Sequence, residues 1–169
     1  MQISPGIEII RTSLWLSVPK ILILNDLHLG YEESLHRKGI LVPKFQLQEV
    51  FRELEGILNK VRPEKIIING DLKHEFGMVL RQEWKEVLQF LDFCLKRCQE
   101  VIIIRGNHDP VLPAVVAKRG ISMVKEYQVG QTLIIHGDAL VKTDIRNIKR
   151  IIIGHEHPAI TLREKSKRE

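Results

Sequence analysis

Five short apolar runs constrain what this chain can fold into more than any other feature. They occupy residues 20–24, 65–69, 101–105, 131–136 and 150–153, and their cores read ILIL, IIIN, VIII, LII and III. Each is short for a helix and continuous rather than alternating, the pattern of strands covered on both faces. A layered α/β domain with these strands in its middle is the expected architecture. Two longer stretches between them carry apolar residues at helical spacing. Leu47, Val50, Phe51, Leu54, Ile57, Leu58 and Val61 share one face over 44–61, closed by Pro63, and Trp84, Val87, Leu88, Leu91, Cys94, Leu95 and Cys98 repeat the pattern over 81–98. Shorter helices fit 32–37 and 111–118. Residues 121–129 should pair with 131–136 around Gly130, and 7–16 read as a strand or hairpin.

Length and charge set the outer bounds. With 169 residues, of which 44% are apolar and 28% charged, the chain is expected to form one globular domain over 1–163, and neither a disordered segment nor a fibre. A charged tail, 164–169, comes after it; from Arg163 onward four basic and two acidic groups supply +2 of the net +5. That charge permits a polyanionic partner without requiring one. No run of 18 apolar residues occurs and the N-terminus lacks a signal-peptide layout, so a cytoplasmic protein without membrane contact is expected. Cys94 and Cys98 are expected as buried thiols, not as a disulfide framework or a zinc site.

Directly behind each apolar run stand polar residues of one chemical kind. ILIL leads into Asn25-Asp26-Leu27-His28, and IIIN into Gly70-Asp71. VIIIR leads into Gly106-Asn107-His108-Asp109, LII into His136, and III into Gly154-His155-Glu156-His157. Loops at the carboxyl ends of strands in α/β sheets converge on one crevice, so five such loops predict one site. Asp26, His28, Asp71, Asn107, His136, His155 and His157 offer hard oxygen and imidazole nitrogen, a set suited to Mn, Fe, Zn or Ni. They are too many for one ion, since a catalytic zinc uses about three protein ligands. Two ions sharing a carboxylate would use them all, at the spacing of roughly 3.5 to 4 Å that suits displacement at phosphorus. Any one of these short motifs alone is most often an ordinary loop. Their conjunction, in order and each directly behind an apolar run, takes five of the seven histidines and outweighs that reading. His36 remains as a solvated helix residue. His74 stands near enough to Asp71 to line a substrate cleft. By position alone Arg105, Lys73 and Lys142 are phosphate contacts or plain surface charges.

In these five blocks the sequence resembles the calcineurin-like metallophosphoesterase superfamily, whose signature is Asp-x-His, Gly-Asp, Gly-Asn-His-Asp/Glu, His and Gly-His-x-His in that order. Around Asp26–Glu32, Gly70–Phe76 and Gly154–Pro158 it is similar to the archaeal SbcD-related and the bacterial ligase-associated phosphoesterases. The resemblance implies a four-layer αββα sandwich. It also implies two divalent ions, manganese before Ni, Fe, Zn or Co, with Asp26, His28 and His157 on the first, Asn107, His136 and His155 on the second, and Asp71 bridging. Hydroxide held between the ions would attack phosphorus, and His108 would protonate the leaving alkoxide or contact the phosphate. Asp71 and His108 are thus the expected catalytic residues, with Asn107, His108, His74 and Arg105 on the substrate.

Two departures from the family pattern matter. Many relatives carry Asp where His74 stands, and there it orients the histidine; here Asp109 or a backbone carbonyl must do so. Only twelve residues lie beyond His157, so the second sheet should be shortened at the C-terminus. Ile160–Leu162 could start one further strand, and an open sheet edge would favour a homodimer.

The expected function is a dinuclear-metal phosphodiesterase acting on nucleotides, DNA or RNA. Its alternatives are a phosphomonoesterase, a cyclic-nucleotide or small-diester phosphatase, and a non-catalytic metal-binding scaffold. A plain DNA-binding module is weaker, because no helix-turn-helix, zinc finger or aromatic stacking platform is visible in the sequence.

Overall fold

The structure is a computed structural model that describes residues 1–78 and 80–158. The strand expected at Ile160–Leu162 and the tail 164–169 lie outside the described residues. Among the described residues ten strands form two sheets. The larger holds β1 (Gln2–Ser4), β2 (Ile7–Ile10), β3 (Ser13–Leu16), β4 (Ile21–Asn25), β5 (Lys65–Asn69), β6 (Glu100–Ile104) and β7 (Ser122–Val124) in that spatial order. Neighbours are antiparallel from β1 to β4 and parallel from β4 to β7. The smaller sheet holds β8 (Glu126–Val129), β9 (Thr132–Ile135) and β10 (Arg150–Ile153), with β9 in the centre, antiparallel to β8 and parallel to β10. The helices are α1 (Tyr31–Arg37), α2 (Gln46–Leu58), α3 (Arg81–Leu95) and α4 (Pro113–Ala117).

Side-chain alternation along β4, β5 and β6 divides the core in two. Leu22, Leu24, Ile66, Ile68, Val101 and Ile103 pack with Leu54 and Ile57 of α2, Val87, Phe90, Leu91 and Cys94 of α3, and Val116 of α4. Ile21, Ile23, Ile67, Ile102 and Ile104 point the other way and meet Ile134 and Ile152 of the smaller sheet. Burying each such side chain contributes about 1.5 to 3 kcal/mol, so both faces of the larger sheet are committed. No helical residue belongs to the second group. The described layers are therefore helices, large sheet and small sheet.

Of the five runs, three enter the larger sheet and two the smaller. Two expectations change here. Residues 121–129 split at Lys125, where the chain leaves β7 beside β6 and crosses to β8 beside β9. And α3 ends at Leu95, leaving the half-buried Cys98 in a turn where its thiol meets the carbonyls of Cys94 and Glu100. Continuity of a run also overstates its cover at β10, where only Ile152 is buried and Ile151 and Ile153 are 47% and 48% exposed.

Candidate metal centre

Registers bring the ends of the five strands level. Asn25 pairs with Asn69, Asn69 with Ile104, and Ile135 with Ile153, so the loops beyond them open at one edge of both sheets. There the backbone turns sharply. Asp26, His28, Asp71 and His155 all adopt left-handed φ values, 48°, 44°, 48° and 62°. This conformation costs roughly 1 to 2 kcal/mol per residue, though Asp, Asn and His enter it more readily than other side chains. It folds each of these side chains across the sheet edge. Close approach fixes two glycines: a Cβ at Gly70 would stand 2.1 Å from His136 Nδ1, and one at Gly106 would stand 2.3 Å from the Asp71 amide nitrogen and Oδ1.

The seven residues expected as ligands converge. Ligand atoms of Asp26, His28 and His157 lie within 4.8 Å of one another, as do those of Asp71, His136 and His155. A third such group joins His28, Asp71 and His108. Asp71 lies among them all: its Oδ2 is 3.3 Å from His136 Nε2, 3.8 Å from His28 Nε2 and 3.9 Å from His108 Nε2. The Asn107 amide reaches the same centre, 3.1 Å from His136 Nε2 and, with its NH2 turned inward, donating at 3.2 Å to His155 Nδ1 and both Asp71 oxygens. Asp26 accepts from the His155 amide at 3.1 and 3.2 Å, which ties the loop after β4 to the loop after β10.

Charge in the centre is unusual. Burial opposes a proton on His136, but hydrogen bonds to Asp71 and the Asn69 carbonyl, with the charges of Asp71 and Asp26, raise its pKa to about 9. Burial would also raise Asp71, yet His136 and the His108 amide hold it below the usual carboxylate range. Burial lowers His28, with neighbouring His108 and His74 acting in the same direction against the pull of Asp71 and Asp26. His74 is lowered too, by burial and by His108. Among the described residues the only cation-capable partners of Asp26 and Asp71 at ion-pair distance are imidazoles. Two buried or half-buried carboxylates among imidazoles and an amide, with no lysine or arginine at ion-pair distance among the described residues, are a donor set that fits divalent cations.

His108 is held from outside this set. Its amide donates to Asp71 Oδ1 at 3.0 Å, and its Nδ1 hydrogen-bonds the His74 carbonyl, so a backbone carbonyl and not Asp109 orients the ring. Asp109 is fully buried and accepts from the amides of Leu72, Lys73 and Gly106, pinning the loops after β5 and β6 together. Lys73 is no phosphate contact. It too is fully buried, with Nζ 3.9 Å from Glu83 Oε2 and donating to the carbonyls of Glu75 and Met78. Glu83 also accepts from the amides of His74 at 3.0 Å and Glu75 at 2.7 Å. The sequence reading missed Glu83, although it carried a signal: a carboxylate in register with the buried stripe Val87, Phe90 and Cys94 of α3. His36 is half-buried rather than solvated, its Nε2 bonded to Val42. Arg105 lines a cavity of about 380 Å³ with Lys125, Lys142, Asn107 and His136. His74 lines the opposite cluster, 5.4 Å from the His28 ring and 5.9 Å from His108.

The profile of the calcineurin-like phosphoesterase family matches residues 19–136. The chain belongs to that family. The match contains the Asp26, Asp71, Asn107 and His136 loops and ends before the Gly154 to His157 block, which geometry alone brings to the centre. DNA polymerase II small subunit of Methanocaldococcus jannaschii is 32% identical over 125 residues, 63% of this chain and 21% of the subunit. The chain thus spans about a fifth of that relative's length. Among solved structures, nuclease MPE of Pseudomonas putida superposes with a TM-score of 0.64 at 21% identity, covering 90% of this chain and 68% of the nuclease, a likeness of fold. No described helix is long and apolar enough to cross a membrane.

Proposed function

We propose that this phosphoesterase hydrolyses phosphodiesters of nucleotides or nucleic acid with two divalent cations. Asp26, His28 and His157 would hold one, Asn107, His136 and His155 the other, and Asp71 both. The observation that carries the reading is the set of donor groups, each within 4.8 Å: Asp26 with His28 and His157, and the buried Asp71 with His136 and His155 on one hand and with His28 and His108 on the other. Bound cations supply Lewis acidity, lowering the pKa of water towards 7 and neutralising charge on the phosphate. The chain's own groups do the rest. With its Nδ1 proton held by the His74 carbonyl, His108 keeps Nε2 turned to the centre, where it can pass a proton to the leaving oxygen. Around the adjoining cavity Arg105, Lys125 and Lys142 outnumber Glu126 and Asp138, a modest positive excess that favours polyanions. The names of the polymerase subunit and the nuclease support nucleic acid as the substrate class.

The test is hydrolysis of bis-p-nitrophenyl phosphate with Mn, Ni, Co, Zn or Mg, run beside p-nitrophenyl phosphate. Manganese should stimulate diester hydrolysis, and chelator or Asp71→Asn should abolish it. Full activity in chelator would overturn the proposal, and a preference for the monoester would move it to a phosphomonoesterase.

A further inference from the structure

Two large aromatic side chains stand at the mouth of the centre with no covering neighbour among the described residues. Tyr31, the first residue of α1, is 45% exposed and Phe76, in the loop after β5, is 57% exposed. Their rings do not lie loose on the surface. Tyr31 meets the His74 ring at 4.8 Å between centroids, with the planes at 68°, and Phe76 meets the His108 ring at 4.5 Å and 65°. His74 and His108 are themselves 5.9 Å apart, so four rings run in sequence along one side of the cleft, beside the oriented histidine. Each aromatic uses part of its ring against a histidine and leaves the remainder to solvent. Exposed aromatic surface is the usual partner of nucleobases in single strands, because every base has a π face. The cationic groups of Arg105, Lys125 and Lys142 lie at the other cluster, beside Asn107 and His136. A strand crossing the centre would set bases on the rings and further phosphates among the cations.

We propose that Tyr31 and Phe76 form a stacking platform for unpaired bases next to the scissile phosphate, which makes single-stranded nucleic acid the substrate class; this rests on the phosphodiesterase reading above. The platform is invisible in sequence because Tyr31 and Phe76 stand far apart in the chain and the loop after β5 brings them together.

The experiment compares an oligodeoxythymidylate with an abasic tetrahydrofuran chain of equal length, by manganese-dependent hydrolysis and by fluorescence anisotropy. Wild-type protein is set against Tyr31→Leu, Phe76→Leu and the double variant. Leucine keeps apolar bulk against each histidine but has no π face. The thymidylate should bind more tightly than the abasic chain, and each substitution should weaken thymidylate binding about fivefold to 150-fold. KM should carry the loss, with kcat and the abasic chain unmoved. Equal binding of both chains by the wild type, or equal losses on both in the variants, would overturn the platform. Base-independent binding beside intact hydrolysis of bis-p-nitrophenyl phosphate strikes this inference alone. Base-dependent binding without hydrolysis of any ester strikes the catalytic reading alone.

Discussion

Replacing Glu83 with alanine should damage both the fold and the orientation of His108, by amounts that can be worked from its contacts. Its carboxylate is fully buried, faces the equally buried Lys73 ammonium at 3.9 Å, and accepts from the amides of His74 and Glu75, with a longer contact of 3.4 Å from Leu80. Removing one partner of a buried ion pair costs about 3 to 5 kcal/mol, mostly because the other charge stays buried. The amide bonds belong to the same network, so their loss overlaps that figure instead of adding to it. For a domain of this size, 1 kcal/mol moves Tm by about 2 to 4 °C, so a fall of roughly 6 to 20 °C is expected. Thermal unfolding followed by the fluorescence of Trp15 and Trp84 measures the fall, and urea unfolding the free energy. Lys73→Met and the double variant complete a cycle, in which the double variant should be less destabilised than the sum of the singles by about 1.5 kcal/mol or more. Glu83→Gln keeps an acceptor for the amides and should retain more activity than Glu83→Ala, because the His74 carbonyl stays in place for His108. A cost below about 1 kcal/mol for Glu83→Ala, or strict additivity in the cycle, would refute the reasoning.

The same geometry sets other outcomes. His108→Ala should lower kcat by about 100-fold to 10,000-fold while cation content, read by metal analysis, stays unchanged; loss of a cation with it would make His108 a ligand. Gly106→Ala puts a methyl group 2.3 Å from the Asp71 amide and Oδ1, and displacing Asp71 by even about 1 Å should cost on the order of 100-fold in activity; near-normal turnover would show that the loop yields. The pKa of His136 is raised to about 9, so in chelator-treated protein its contribution to stability is complete below the ordinary histidine value of about 6.5 and is lost as pH rises through about 9. Denaturation in chelator should therefore show falling stability over that window, by an amount on the order of 3 kcal/mol. Because a divalent cation takes the neutral ring, its affinity should rise over the same window, as titration calorimetry with manganese would read.

How far the sequence carries depends on whether information is local. The apolar runs and the polar residue types at their ends are local, and they placed all seven convergent residues at the edge where they stand, from Asp26 to His157. Strand position was legible for the same reason. Which sheet each strand joins was not, because it turns on pairing across the chain: residue 125 is the point where strand-like chain changes sheets, and nothing in its neighbours announces it. Roles set by contacts from outside the loops were also hidden. Lys73 reads as a free cation beside a glycine-aspartate turn, and only the fold puts Glu83 of α3 against it. Asp109 reads as one of two groups able to orient His108, yet three amides consume it.

The division of the runs between two sheets bears on the chemistry. Two of the three donor groups draw on both: Asp26 and His28 come after a strand of the larger sheet and His157 after one of the smaller, while Asp71 of the larger meets His136 and His155 of the smaller. The layer between the sheets, where Ile23, Ile67 and Ile102 meet Ile134 and Ile152, thus fixes the separation of the donors. Large-to-small changes in a packed core shift neighbours as well as costing stability, about 2 to 5 kcal/mol for an isoleucine cut to alanine. A cation held by donors from both sheets would close the edge that this apolar layer leaves open. It would also offset the left-handed turns at Asp26, His28, Asp71 and His155, whose strain is sustained only by what the folded side chains meet.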